Sequence, residues 1–590
     1  MRRERHLPAT AETLSLMKVA LGEAEADLAI VNGNIVNVYT GEVLTGDTVL
    51  IKGAKIAHVG KNANHAIGAG TRVIDATGKM LVPGFIDGHT HINFISSVSE
   101  LCRYAMKGGT TAIITEAIDF GMILGYPGLL EFLRSITNQP IKIFLVVPSM
   151  ATISPIAKQH IFGANQLNRL LRRKEVVGLG ESYWSPVIDG DRQLMDFMAA
   201  TRGAGKKLEG HSAGAMGNKL QAYISAGISS CHEPTTAEEV RERLRLGMFI
   251  MVREGETRRE LAGVAGIKDE DIDFSNLGLC TDGVGPCQLT TDGYMEFVVQ
   301  KAIDLGYNPV RTIQMATLNT ARHFGLDDFM GGIAPGKYAD ILVIPDLTTI
   351  RPEYVISNGQ MVARDGELTV SPRKHKFGQV GRVRLPRNMT ADDFAVSADG
   401  NRRSVRVRVI DQVTELVTKE AIIELPVSAG QLHADTRQDI IKVAAIERTY
   451  SPGKTFTGFI RGIGLKRGAI ATTIIWDVCD IIVVGTNGAD MAAAVNRLLE
   501  IGGGIVVYAG GKVLAEIEMP LGGMLSLEPM ETLAHKLLQI QQAAASLGCV
   551  SPDIRLSLCV LTTGAIPFLR MCESGIVDLR QNRLVDLMVD

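Results

Sequence analysis

The chain has 590 residues, of which 46% are hydrophobic and 62 are glycine, and its formal net charge is −3. That length predicts several domains, and the composition fits a large α/β protein with many tight turns. The charge balance speaks against a nucleic-acid partner, and no apolar run is long enough to span a membrane. Eight scattered cysteines without a Cys-x-x-Cys pair read as reduced thiols of a cytoplasmic protein. The basic start, Met1-Arg2-Arg3-Glu4-Arg5, leads into no apolar segment of the kind a signal peptide carries.

Residues 9–25 place Leu14, Leu16, Met17, Ala20 and Leu21 near helical spacing, which predicts a short amphipathic helix. β-like runs follow at 28–31, 35–38, 48–51 and 55–57, with Asn32-Gly33 predicted as a hairpin turn. Helix and runs make a small β domain over 1–80. From 81 to 335 the rhythm changes, and strand-like runs at 82–87, 111–115, 142–147, 176–181, 207–211, 227–232, 248–252 and 277–282 alternate with helix-like ones such as 238–246 and 294–305. Eight such units predict a TIM-type (β/α)8 barrel, whose chemistry sits at the C-terminal strand ends. Residues 336–344 and 354–362, with a turn at Asn358-Gly359, predict a return to the first domain. A small β-sandwich would then be built from both ends of that stretch, and 336–395 would close in a basic, turn-rich linker. A C-terminal α/β domain is expected over 396–590, with strands at 481–484 and 505–508 and helices at 489–501 and 529–547. Gly502-Gly503-Gly504 follows a helix instead of opening one after a strand, so it reads as a helix-ending turn and not a phosphate loop.

The predicted strand ends carry a series of polar residues. His89 and His91 sit at i and i+2, which puts both imidazoles on one face of an extended strand. Glu181 ends the fourth strand, His211 the fifth, His232 the sixth and Asp282 the eighth. Any one of them alone reads as a cap or a satisfied polar group; together at one rim they predict a metal site. The set exceeds what one tetrahedral ion takes and suits two ions roughly 3.5–4 Å apart, which Glu181 can bridge. Mixed nitrogen and oxygen donors fit Mn²⁺, Fe²⁺ or Zn²⁺ and do not choose among them. Such ions bring the pKa of water towards ~7. Asp282 can take the proton and pass it to a leaving nitrogen, with Glu181 as the second catalytic residue. The reaction class is hydrolytic attack on a trigonal carbon.

The motifs resemble those of the amidohydrolase superfamily, and within it the bacterial adenine deaminase family. Pro83-Gly84-Phe85-Ile86-Asp87-Gly88-His89-Thr90-His91, Gly109-Thr110-Thr111, Gly210-His211, Cys231-His232-Glu233, Arg253-Glu254-Gly255 and Cys280-Thr281-Asp282 are similar to that family's strand-end motifs. The resemblance continues through Ile313-Gln314-Met315-Ala316-Thr317-Leu318-Asn319, the run from Arg461 to Ala471, Val484-Gly485-Thr486-Asn487 and Ala494-Val495-Asn496-Arg497. It implies a barrel fold, paired Mn²⁺ or Fe²⁺ ions, a bridging glutamate and a small nitrogen heterocycle as substrate, in a homo-oligomer (dimer or tetramer) that binds neither nucleic acid nor membrane.

Departures fall on the substrate side. Where the family continues its first motif as His-Ile-Glu-Ser-Ser, this chain has His91-Ile92-Asn93-Phe94-Ile95-Ser96-Ser97; where the family has Asp-Pro-His-Glu, it has Glu116-Ala117-Ile118-Asp119. The acidic run after the eighth strand becomes Gly283-Val284-Gly285-Pro286-Cys287, and a His-Asp-Ser-His-Asn segment becomes Trp476-Asp477-Val478-Cys479-Asp480. Asn93 and Asp119 are the substrate-side candidates at the first two sites. Arg253 and Glu254 read either as substrate-orienting groups or as a rim ion pair, and Trp184 either as a stacking platform or as core. These changes predict that adenine is a poor substrate and that a larger or less polar nitrogen heterocycle is preferred. Two other readings stand beside deamination: a cyclic amide or amidine hydrolase that opens a ring C–N bond, and a metal-retaining binding protein without turnover.

Overall fold

The computed structural model describes residues 10–589 except 62, 93, 94, 379, 382, 399–401 and 567. A helix over Thr10–Leu21 leads into strands β1 (Leu28–Asn37), β2 (Glu42–Lys52) and β3 (Lys55–Gly60). The hairpin expected at Asn32-Gly33 does not form. β1 runs through this pair, and its register with β2 slips on either side of Gly33. Asn32 does adopt the left-handed backbone that the dipeptide favours (φ 61), but spends it on a bulge. The chain reverses after Asn37 instead, with Gly41 at φ 78.

Strands β4 (Arg72–Asp75) and β5 (Met80–Pro83) pair with β1 in parallel. The apolar run expected as one strand over 82–87 is divided. β5 ends in the small sheet, and β6 (Phe85–Thr90) begins a separate parallel sheet. Gly84 is the joint: a Cβ there would lie 2.2 Å from Thr111 Oγ1, so only glycine lets the backbone pass. β7 (Thr110–Thr115), β8 (Lys142–Val147), β9 (Val176–Tyr183) and β10 (Lys207–His211) follow β6 in order in a five-stranded parallel sheet. β11 (Ser230–Cys231), β12 (Phe249–Arg253) and β13 (Leu277–Cys280) make a second, three-stranded one. Backbone hydrogen bonds link the two arcs on both sides, from Ser229 N to Leu208 O and from Asp282 N to His89 O, each 2.9 Å. The sixth and eighth strands are shorter than their apolar runs, because His232 and Asp282 lie past the last paired residues.

These strands are buried on both faces, which explains their unbroken apolar runs. Ile86, Ala112, Ile114, Phe144 and Val146 share one core with Ala321, Phe324 and Phe329. Their sequence neighbours Ile113, Leu145 and Val147 belong to another, beneath the flanking helices. After the last helices, β14 (Ile341–Ile344) returns to pair antiparallel with β5. β15 (Tyr354–Ser357), β16 (Gln360–Arg364) and β17 (Glu367–Leu368) complete a nine-stranded sheet. Asn358 (φ 52) and Gly359 (φ 73) turn the chain between β15 and β16. Ile30, Ile35, Val49 and Leu81 pack with Ile341, Val343 and Ile356, so the two sequence segments bury one core.

The C-terminal stretch builds an eleven-stranded sheet. Its strand Asp480–Gly485 shows why both of its faces are apolar. Ile481 and Val483 pack under helix Gly488–Ile501, while Ile482 and Val484 pack under helix Met530–Ser546. Gly502 ends the first of these helices at φ 86, the helix-ending turn expected of the glycine cluster. Among the described residues, no helix is long and apolar enough to cross a membrane.

Candidate metal centre

The ends of β6 and β13 are locked together before any ligand is placed. Asp87, fully buried, accepts hydrogen bonds from Thr281 N (3.0 Å), Thr281 Oγ1 (2.6 Å) and Tyr294 Oη (2.6 Å). Gly88 lets the strands close, since a Cβ there would lie 3.1 Å from Leu279 O. Asp282 then leaves β13 at φ 56, a backbone that Asp tolerates better than most residues and that recurs at functional sites. On the far side, His211 N donates to Tyr223 Oη (2.8 Å), and Tyr223 donates to Ser182 O. That bond holds the end of β10 against β9.

The six strand-end residues converge. Glu181 Oε1 lies 2.9 Å from His232 Nε2, 3.1 Å from His211 Nδ1 and 3.5 Å from His89 Nε2. Its Oε2 faces His91 Nε2 at 3.9 Å. Asp282 Oδ1 lies 3.4 Å from His89 Nε2 and 3.5 Å from His91 Nε2. The rings of His89 and His232 stack at 4.2 Å. Nε2 of His89, His211 and His232 is buried and makes no hydrogen bond among the described residues. Buried imidazole nitrogens left without partners, next to carboxylates, are what a divalent ion fills. Two groups have donor atoms within 4.8 Å of one another: His89, Glu181, His232 and Asp282, and His211, His232 and Glu233.

Electrostatics prepare the carboxylates for a cation. Burial works against their charge, but His211 and its neighbours hold Glu181 well below the usual range. Burial likewise opposes Asp282, and Arg253 and His232 hold it low. Burial disfavours charge on His91 and His211 too, yet the facing carboxylates lift each to about 9, so an incoming cation displaces protons. Glu116 is pushed up to about 7 by burial and then by the charge of Glu181; its Oε2 accepts from Glu181 N at 2.9 Å.

The remaining sequence candidates part company. Arg253 faces the site, donating to Asp282 Oδ2 at 2.8 Å and to Glu233. Glu254 points the other way, fully buried against Lys301 Nζ (2.6 Å), because consecutive strand residues face opposite sides. It does not line the cavity. Trp184 does not line it either; its Nε1 donates to Ala213 O (2.8 Å) and Lys219 sits over its ring, which is packing rather than stacking on a ligand. Asp119 borders a neighbouring hollow with Ile95, Ile123, Thr473 and Met524, which shares Trp476 with the cleft over the histidines. Asn93 lies outside the described residues.

Sequence reading passed over Glu233, whose Oε1 lies 3.3 Å from His232 Nε2; its place directly after a strand-end histidine was the available signal. The cleft over the histidines is walled on its far side by Trp476, Asp477, Thr563, Ala565 and Ile566. Of the far wall, the family comparison in the sequence singled out the Trp476-Asp477 segment but not Thr563, Ala565 or Ile566. No local pattern brings Thr563, Ala565 and Ile566, which lie far beyond β13 in the chain, to that place.

Known proteins share both parts. Residues 80–362 match the amidohydrolase family, whose members use divalent metal, and residues 415–583 match the adenine deaminase C-terminal domain. An adenine deaminase from Moorella thermoacetica is 37% identical over 592 residues, spanning 98% of this chain and 99% of that one. Adenine deaminase 3 of Rhizobium meliloti is 36% identical over 97% of this chain and 98% of its own. An adenine deaminase of Mesorhizobium japonicum is 35% identical over 99% and 98%. Since the likeness runs unbroken through the stretch that carries the histidines and the stretch that closes over them, the chain belongs to the adenine deaminase family of amidohydrolases.

Proposed function

We propose that this enzyme hydrolyses a C–N bond of a small nitrogen heterocycle, deaminating adenine or a related amino-heterocycle with release of ammonia. Relatives named adenine deaminase support the reaction class. The observation that carries it to this chain is the set of three buried imidazole nitrogens that make no hydrogen bond among the described residues, beside two carboxylates at the floor of a cleft. His89, His91, Glu181, His211, His232 and Asp282 would hold two divalent ions, Mn²⁺ or Fe²⁺ with Zn²⁺ as the third candidate, and Glu181 would lie between them. When bound, such ions supply Lewis-acid activation of water. Asp282 accepts the proton of the attacking water and returns it to the departing nitrogen. The C–O bond forms, the C–N bond breaks and ammonia leaves. Arg253 secures Asp282 Oδ2, which turns Oδ1 towards the histidines.

The same reading divides the chain into a small β unit from 1–80 and 336–395, a TIM-type barrel over 81–335 and a C-terminal α/β domain over 396–590. The parallel order of the eight strands and the bonds between their two arcs support the barrel. Trp476 favours a second reading, ring opening of a cyclic amide or amidine, because it brings apolar bulk into the cleft where the family carries a histidine. Metal-reconstituted enzyme assayed against amino-purines, pterins, pyrimidines and cyclic ureides separates the two. Ammonia release with the ring absorbance retained means deamination; loss of ring absorbance means ring opening. Adenine is expected to fall below about 10⁵ M⁻¹s⁻¹ in kcat/KM, and a value at or above that ordinary range for efficient enzymes would show the altered positions to be neutral.

A further inference from the structure

One polar group in the far wall of the cleft has no part in the hydrolysis described above. Asp477 is 2% exposed and lines the cleft together with His91, Glu181 and Asp282. Its Oδ2 accepts three hydrogen bonds, from Tyr183 Oη (2.9 Å), Thr563 Oγ1 (2.5 Å) and Gly564 N (3.3 Å). Its Oδ1 makes none among the described residues. Burial pushes the carboxyl up to about 7, against the pull of Thr563 and Tyr183. One oxygen is therefore pinned, and the other is left as a fixed acceptor in a buried place. Such an acceptor rewards a ligand that brings an N–H. It penalises one that does not, because the ligand then covers the oxygen and leaves it unpaired.

We propose that Asp477 Oδ1 accepts a ring N–H of the heterocycle, so that the C-terminal stretch selects bases with a free ring N–H over their N-alkylated or N-glycosylated forms. This rests on the reading that the cleft binds a nitrogen heterocycle, and not on the chemistry performed there.

Asp477→Asn tests it sharply. Asn keeps the size and tolerates the φ of 64 at this position. Gly564 N can only donate, so the amide oxygen takes the place of Oδ2 and the amide NH₂ faces the cleft. The fixed acceptor becomes a donor. Binding is read by titration calorimetry on the metal-loaded full-length protein, with purine, 7-methylpurine and 9-methylpurine as probes. Purine has no amino group to lose, and neither methyl derivative has a ring N–H. The assay runs at roughly pH 8, above the value of about 7 for Asp477, so that the carboxylate dominates.

The wild type should bind purine about tenfold or more tightly than either methyl derivative, and Asp477→Asn should lose that preference. A clash with the methyl group would survive the substitution, so loss of the preference separates hydrogen bonding from shape. Thr563→Val, which removes one of the bonds on Oδ2, should give an intermediate preference, and it carries the test if Asp477→Asn does not fold. An equal preference in wild type and variants, no preference in the wild type, or no purine binding by the wild type would each overturn the assignment. An ammonia assay runs alongside. A preference that depends on Asp477 without ammonia from any amino-heterocycle sinks deamination alone; ammonia with an unaltered preference sinks only the role of Asp477.

Discussion

Strand β10 carries two carboxylate–histidine groups built on opposite terms. At Glu209 the group is complete. His323 Nε2 meets Glu209 Oε1 at 2.9 Å, Ser230 Oγ donates to Oε2 at 2.5 Å, and Phe249 stacks on the imidazole at 4.3 Å. Two residues on, His211 belongs to a group left unfinished, with three buried imidazole nitrogens that make no hydrogen bond among the described residues. Both groups are buried and both mix histidine with carboxylate. What separates a structural pair from a site is whether the protein itself satisfies the polar atoms, because an orphaned buried donor or acceptor costs about 1–3 kcal/mol that some ligand must offset.

Removing metal breaks the comparison most severely. Dialysis against a chelator should abolish turnover, and Mn²⁺ or Fe²⁺ should restore it. At a hundredfold excess over Kd the ion adds about 2.7 kcal/mol of stability, so the thermal midpoint should fall on chelation as well. Elemental analysis of the supplemented protein should find about two ions per chain; occupancy near zero would return the cluster to the structural class. Next in size is Asp282→Asn, which keeps the shape and removes the base. It should lower kcat by about 10²–10⁴ with little change in melting, and near-normal kinetics on a verified substrate would remove Asp282 from the chemistry.

Glu209→Ala sharpens the contrast from the other side. It strands His323 Nε2 and Ser230 Oγ, so it should cost about 1–3 kcal/mol in denaturant unfolding, while the metal-loaded, folded fraction keeps its kcat. A loss of kcat without a loss of stability would make the two groups one functional unit. The smallest effect belongs to a third satisfied pair, Glu131 with His375, which ties the segment after β17 to the helix Ile118–Ile136. Burial raises the Glu131 carboxyl, but His375, Arg134 and Gly378 N outweigh it and hold it at about 2, below its ordinary 4.5. A carboxyl with a lowered folded-state pKa contributes fully above the unfolded value and loses that contribution as pH falls towards the folded one. Protection of residues 371–378 against hydrogen exchange, taken relative to the intrinsic rate at each pH, should therefore fall between about pH 4.5 and 2. Glu131→Gln should remove that pH dependence.

The amino-acid sequence by itself determined the order of the strand-like runs and the polar residues that follow them. His89, His91, Glu181, His211, His232 and Asp282 could be named because each stands at the end of a predicted strand, and the alternation of strands and helices that creates those ends is local. Tertiary structure alone decided what surrounds them. Gly84 divides an unbroken apolar run between two sheets because Thr111 crowds it, and Asn32 bulges where the dipeptide signalled a turn because β2 continues alongside. Glu254 turns from the cleft while Arg253, one residue earlier, enters it. Thr563, Ala565 and Ile566 reach the cleft from the far end of the chain. Each of these outcomes depends on a partner distant in sequence, and local periodicity carries no record of which distant backbone will arrive.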